Sequence, residues 1–224
     1  MSRRIPVWDA PVRLFHWALA GLVVFSYVTA KAGGYWLEWH MRSGYTILSL
    51  LAFRLAWGFV GSDTARFASF LRGPGATLAY ARATLSRRHP VVVGHNPMGG
   101  WMVLAMLAIL ATQAFSGLFV DDEIATQGPL AVKASGAFVG RMSALHDFNE
   151  WLLVGMVALH VAAIAAYRWV LGVRLVGPMI RGAMEAPEGV AAPRQRSPAL
   201  AAALFAAACG AVYWLVVVFP RSAA

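Results

Sequence analysis

The sequence predicts an all-α integral membrane protein: a four-helix transmembrane bundle with a fifth, C-terminal transmembrane helix. Three observations carry this. Apolar residues make up 59 % of the 224-residue chain and charged ones 13 %, where soluble domains carry about 25 % charged residues. Five apolar runs, roughly 14–32, 41–60, 101–120, 144–167 and 199–219, each approach the ~20 residues that a membrane-crossing helix requires. The charges also alternate in sign from loop to loop. With the N-terminus inside, thirteen of the nineteen Lys and Arg residues fall in segments 1–13, 61–98 and 168–197. Asp121, Asp122, Glu123, Asp147, Glu150 and Glu38 fall on the other side. This positive-inside pattern implies a multi-pass membrane protein with a cytoplasmic N-terminus. It accounts for the net charge of +9 without a nucleic-acid partner.

The elements follow in order. Residues 5–13, IPVWDAPVR, read as an amphipathic approach in which Pro6 and Pro11 delay a regular helix until about Val12. The opening MSRR before an apolar run imitates a secretory signal, but Thr29-Ala30-Lys31 is a poor cleavage site and the run reads as a retained helix. The aromatic link AGGYWLEW suits a membrane interface. The long inner loop 61–98 is marked by Gly73-Pro74, His89-Pro90 and Asn96-Pro97 as turns, and its ATLAYARATL stretch predicts a helix on the membrane surface. The third run has no ionisable residue from Trp101 to Val120, with small residues at Gly99, Gly100 and Gly117 that let a neighbour or a flat cofactor approach. The domain plan is a bundle over 1–175, a Pro- and Arg-bearing cytoplasmic linker over 176–198, mobile from 183, and an additional helix over 199–219.

Histidine placement carries the chemistry. His146 and His160 lie fourteen residues apart on one run, within about 40° of one helical face and about 21 Å apart along the axis. That spacing sets one imidazole toward each side of a hydrocarbon layer about 30 Å thick. Helix direction puts His16 at inner depth and His40 at outer depth, so His16 matches His160 and His40 matches His146. A single membrane-edge histidine is as readily an interfacial hydrogen-bonding group; four that pair by depth form a ligand set. Two imidazoles fill both axial positions of a heme iron and leave it to exchange electrons. With the single Cys209 and no C-x-x-C-H motif, covalent heme attachment and an iron–sulfur cluster are excluded within this chain. The expected cofactors are two non-covalent hemes. Arg13 and Arg54 are expected to meet their anionic propionates, with Arg42 and Arg141 as further possibilities at the outer heme. Gly44 and Gly155 would let a porphyrin lie against backbone, though helix packing explains them equally well. His89 and His95 sit beside prolines and read as turn residues, with His95 the reserve ligand.

At WDAPVRLFHW, HMRSGYTILSLLAFRLAWGFVGSDTARF, GHNPMGGWMVL and HDFNEWLLVGMVALH, the chain resembles the bacterial cytochrome b561 family, itself similar to the b-type cytochrome subunits of nickel–iron hydrogenases. The resemblance covers about residues 7–175. It implies two b hemes ligated by His16, His40, His146 and His160, moving electrons between a quinone pool and a partner in a respiratory chain. That partner would be a periplasmic cytochrome c or a hydrogenase or dehydrogenase subunit. An anchor and electron-conduit role inside a larger complex is the nearest alternative. A histidine-lined metal or proton transporter, the alternative of another class, would carry midplane acidic residues or broken helices, and neither is visible.

Overall fold

The computed structural model describes residues 2–86, 92–122 and 126–222. Arg87, Arg88, His89 and Glu123, which entered the charge and turn expectations, lie outside the described residues. The chain is almost wholly helical. Strand β1 (Ser2–Pro6) precedes α1 (Ala10–Ala32) and α2 (Trp36–Val60), then the short α3 (Phe67–Phe70) and α4 (Pro74–Leu85). Helix α5 (Pro97–Gly117), α6 (Gly136–Trp169), α7 (Val176–Arg181), strand β2 (Ala183–Pro187) and α8 (Pro198–Tyr213) complete it. Beyond Tyr213 the last helix loosens into a π-helical turn over Trp214–Val218 and a 3₁₀ turn over Phe219–Arg221. Among the described residues, five helices are long and apolar enough to cross a membrane: α1, α2, α5, α6 and the whole of Pro198–Arg221. Their large apolar side chains are often outward-facing, as at Val28, Phe148, Trp151 and Val161, which suits helices solvated by lipid.

Helix boundaries depart from the apolar runs where capping groups act outside them. Helix α1 begins at Ala10, before the expected Val12, because the Asp9 carboxylate accepts the Val12 N–H at 2.7 Å. Pro11 sits in the first turn, where a missing N–H costs nothing. Helix α2 starts at Trp36, not 41, since Gly33 (φ 64°) and Gly34 (φ 52°) reverse the chain in a left-handed turn. Trp36 and Trp39, expected in the link, thereby lie in the first turn of the helix, while Tyr35 stays in the turn before it. Helix α6 has 34 residues, about 51 Å of rise, and outruns the expected 144–167. The Ser135 carbonyl and hydroxyl receive the Phe138 N–H, so the helix is nucleated well ahead of its apolar stretch. Asn96 caps α5 through the Gly99 N–H at 2.8 Å.

The structure clusters into two compact units. The first comprises Met1–Leu14, Leu55–Met106 and Met156–Ala201. In it β1 pairs antiparallel with β2, Ser2 opposite Pro187 and Pro6 opposite Ala183, and the Gly182 carbonyl accepts the N–H groups of Val7 and Trp8. The segment expected as a mobile linker is therefore structured. Arg194 and Asp63 exchange two hydrogen bonds, and the Ser62 hydroxyl accepts the Arg196 N–H at 3.0 Å. Asp9, itself 3 % exposed, also accepts the indole N–H of the fully buried Trp57 at 3.0 Å, so one carboxylate caps α1 and fixes α2.

The second unit comprises Phe15–Arg54, Leu107–Gly155 and Ala202–Ala224. Ile47, Leu50, Leu51 and Phe53 of α2 are buried in it, with Phe53 edge-on to Phe205 of α8 at 5.9 Å. After α5 the chain folds on itself, the Gly128 N–H donating to the Val120 carbonyl and the Leu130 N–H to that of Leu118.

Two outcomes follow. Asp9→Ala removes a helix cap and leaves a buried indole N–H unpaired, so it costs about 2–4 kcal/mol, read as a lower midpoint in detergent thermal unfolding. At Asp63 the Arg194 N–H, with the Arg66 and Arg194 guanidinium groups, holds the carboxyl below its ordinary 3.8. The stabilisation is thus present above that value and lost as pH falls through the lowered one. Asp63→Asn at neutral pH reproduces the loss, at most about 1 kcal/mol for so exposed a pair. Faster tryptic cleavage after Arg194 and Arg196 measures it.

Candidate functional site

Two of the four histidines meet within the second unit. His40 stands one turn into α2 and His146 on α6, with ring centroids 6.2 Å apart and planes at 87°. An imidazole nitrogen binds a transition metal at about 2 Å. Two rings on opposite sides of one ion therefore have centroids about 6 Å apart, the separation found here.

The far side of each ring is fixed. His40 Nδ1 lies 2.9 Å from the Ser26 carbonyl and 3.0 Å from its hydroxyl. His146 Nδ1 lies 3.0 Å from the Gln113 carbonyl and 3.2 Å from the Ser116 hydroxyl. A carbonyl oxygen only accepts, so Nδ1 carries the proton on both rings and Nε2 presents its lone pair. Metal-ligating histidines are oriented by this kind of bond. Helix α1 supplies one carbonyl and α5 the other, and the Thr29 hydroxyl bonds to the Ser26 carbonyl as well, at 3.0 Å.

Small residues make the room. A Cβ on Gly117 would stand 2.9 Å from His146 Cε1, so what the glycine admits on that side is the imidazole ring. Gly44, one turn after His40, and Gly155 would place a Cβ with nothing within 4 Å. Contact with a neighbouring protein helix demands neither; Gly44 is half-buried and Gly155 exposed. Among the described residues, no three His, Cys, Asp or Glu side chains gather as a metal-holding group. A porphyrin would supply the remaining donors to an ion held between His40 and His146.

The other expected residues stand as follows. His16 is half-buried on α1, edge-on to Trp17 at 4.9 Å, and belongs to the second unit. His160 is half-buried on α6, in the first. Arg54 of α2 is 3 % exposed, an unusual burial for a guanidinium. Arg13 donates to the Ile180 carbonyl at 2.7 Å and packs against Gly182. Arg42 pairs with Glu38 one turn earlier and lies over Trp39, while Arg141 is exposed. His95 packs between Trp8 and Phe70, at 4.6 and 4.7 Å.

Sequence reasoning missed the groups that hold the rings. Ser26 and Ser116 give no signal, since their helices' carbonyls do the accepting. Asn149 did give one, as an amide three residues after His146 on nearly the same face. It is 3 % exposed and donates to the Gln113 side chain at 2.7 Å and the Ile109 carbonyl at 3.0 Å.

No curated protein and no solved structure matches the chain. The family model described as prokaryotic cytochrome b561 matches residues 7–182, which include all four histidines, both arginines expected at the hemes and every helix from α1 to α7. The chain belongs to the prokaryotic cytochrome b561 family and is a multi-pass membrane b-type cytochrome of electron transport.

Proposed function

We propose that the protein binds two hemes b, each between two histidines, and passes single electrons across the inner membrane between a quinone pool and a redox partner. The observation that supports it most is the His40–His146 pair, 6.2 Å between rings, each Nδ1 tied to a backbone carbonyl. Heme supplies reversible one-electron chemistry when bound. The chain's own residues do the rest. The two imidazoles present unprotonated Nε2 atoms, Gly117 gives His146 its place, and the apolar helices exclude water.

The second heme, at His16 and His160, is inferred from helix direction and from fourteen-residue spacing on α6. Arg54 lies fourteen residues after His40 on α2, about 21 Å along the axis, which is the depth assigned to His16. Its buried guanidinium suits a propionate there. Arg13, three residues before His16, is the second propionate partner, and its bond to Ile180 leaves other N–H donors on the same guanidinium. The N-terminus is read as cytoplasmic from the arginine-rich loops. The soluble partner is a periplasmic cytochrome c or a hydrogenase- or dehydrogenase-type subunit, and in the latter case the chain is the conduit of that complex.

The first test is the visible spectrum of purified protein with a pyridine hemochrome assay, for which about two hemes per chain are expected. His40→Ala and His146→Ala should each remove the same α-band component, and His16→Ala and His160→Ala the other. Colourless protein from heme-replete cells, or one component lost from both His16→Ala and His146→Ala, defeats the assignment. Gly117→Ala should perturb the His40/His146 component alone, by overpacking worth about 1–3 kcal/mol; an unchanged band shape and heme content would count against this site.

A further inference from the structure

Asn149 is a buried amide with no place in the ligand set, and burying an amide in a membrane helix is costly unless its bonds are made. They are made to one turn of α5. Its Nδ2 donates to the Gln113 Oε1 at 2.7 Å and to the Ile109 carbonyl at 3.0 Å. The Gln113 carbonyl then receives His146 Nδ1 at 3.0 Å. Helix α6 therefore grips α5 at two heights one turn apart, by Asn149 and by His146, and Gln113 takes part in both. Slippage of one helix along the other by a fraction of a turn would part both bonds, because Gln113 carries the two acceptors on one residue. Ser116 adds a third tie, its hydroxyl donating to the Thr112 carbonyl at 2.7 Å while lying 3.2 Å from His146 Nδ1. Gly117 on the same face keeps the ring's path clear.

We propose that Asn149 is a positioning residue for His146: through the Gln113 side chain it holds the Gln113 carbonyl against Nδ1 and so sets the donor strength of Nε2. The proposal rests on His146 being a heme ligand. A firm Nδ1–H···O=C bond makes an imidazole a stronger electron donor, which favours ferric over ferrous iron. Slackening the bond raises the midpoint potential of that heme and leaves the other where it was.

The test is a redox titration with low-temperature EPR on the full-length, heme-loaded protein, comparing wild type with Asn149→Leu, Gln113→Met and the double variant. His146→Ala identifies which component belongs to this heme. Expected are heme content near wild type, an upward shift of that one potential with a moved low-spin g value in each single variant, and no shift in the double variant beyond that of Asn149→Leu, since Gln113→Met cuts a connection that Asn149→Leu has already cut. Unshifted potential and g values in both single variants, additive shifts, or equal disturbance of both hemes would each overturn the proposal while leaving the His146 ligation intact. Loss of all heme from both single variants would overturn it too, by making the clasp a requirement of the fold. A wild type without a low-spin signal assignable through His146→Ala would instead remove the reading beneath it.

Discussion

In the second unit the decisive interaction is a hydrogen bond from an imidazole Nδ1 to a helix carbonyl, made twice. The Ser26 carbonyl holds His40 and the Gln113 carbonyl holds His146. Either bond alone would orient a ring. Together they leave Nε2 unprotonated on two rings whose centroids stand 6.2 Å apart, the pair proposed above to share one heme. A membrane interior supplies no water to hold a ring. The available acceptors are helix carbonyls, which can take a second bond at their free lone pair. Serine hydroxyls beside both carbonyls reinforce the arrangement without replacing it.

Those carbonyls must lie at fixed heights, and the chain secures height by polar anchors near helix starts. Asp9 joins the first turn of α1 to Trp57 of α2 within the first unit. His16 follows seven residues later on the same helix. Asn96 caps α5 through Gly99 and donates to the Tyr167 hydroxyl of α6, also within the first unit. The short strands β1 and β2 and the Asp63–Arg194 exchange hold chain segments from both ends of the first unit. Packing among apolar side chains is poorly suited to this task in lipid, where the solvent is as apolar as the core.

The sequence made the spans legible because hydropathy measures what lipid selects, and it made the histidines legible because a titratable group in a membrane helix needs a reason. Boundaries were less legible. A hydropathy window ends where apolar residues end, whereas a helix ends where its backbone bonds do. Asp9, Ser135 and the Gly33-Gly34 turn moved three helix starts by cap or turn chemistry lying outside the runs. Residues 183–187 read as linker because their five-residue strand has no partner nearby in sequence; the partner is at residues 2–6. The groups behind each imidazole were the least legible, being backbone atoms to which no residue type is unique. Asn149 was readable, since an amide one turn from a histidine in an apolar run asks for a bonding partner.

Electron transfer and ion carriage ask for different ligands. A site built to pass a metal or a proton needs ligands that can let go: flexible carboxylates, water-lined breaks, an exit. Here the two imidazoles sit on unbroken helices with their rear nitrogens bound to backbone, and among the described residues no three His, Cys, Asp or Glu side chains gather as a metal-holding group. Rigid ligands of fixed tautomer hold an iron through a change of oxidation state with little movement. That suits a centre whose traffic is electrons, and it explains why the polar investment in these helices goes into holding rings still.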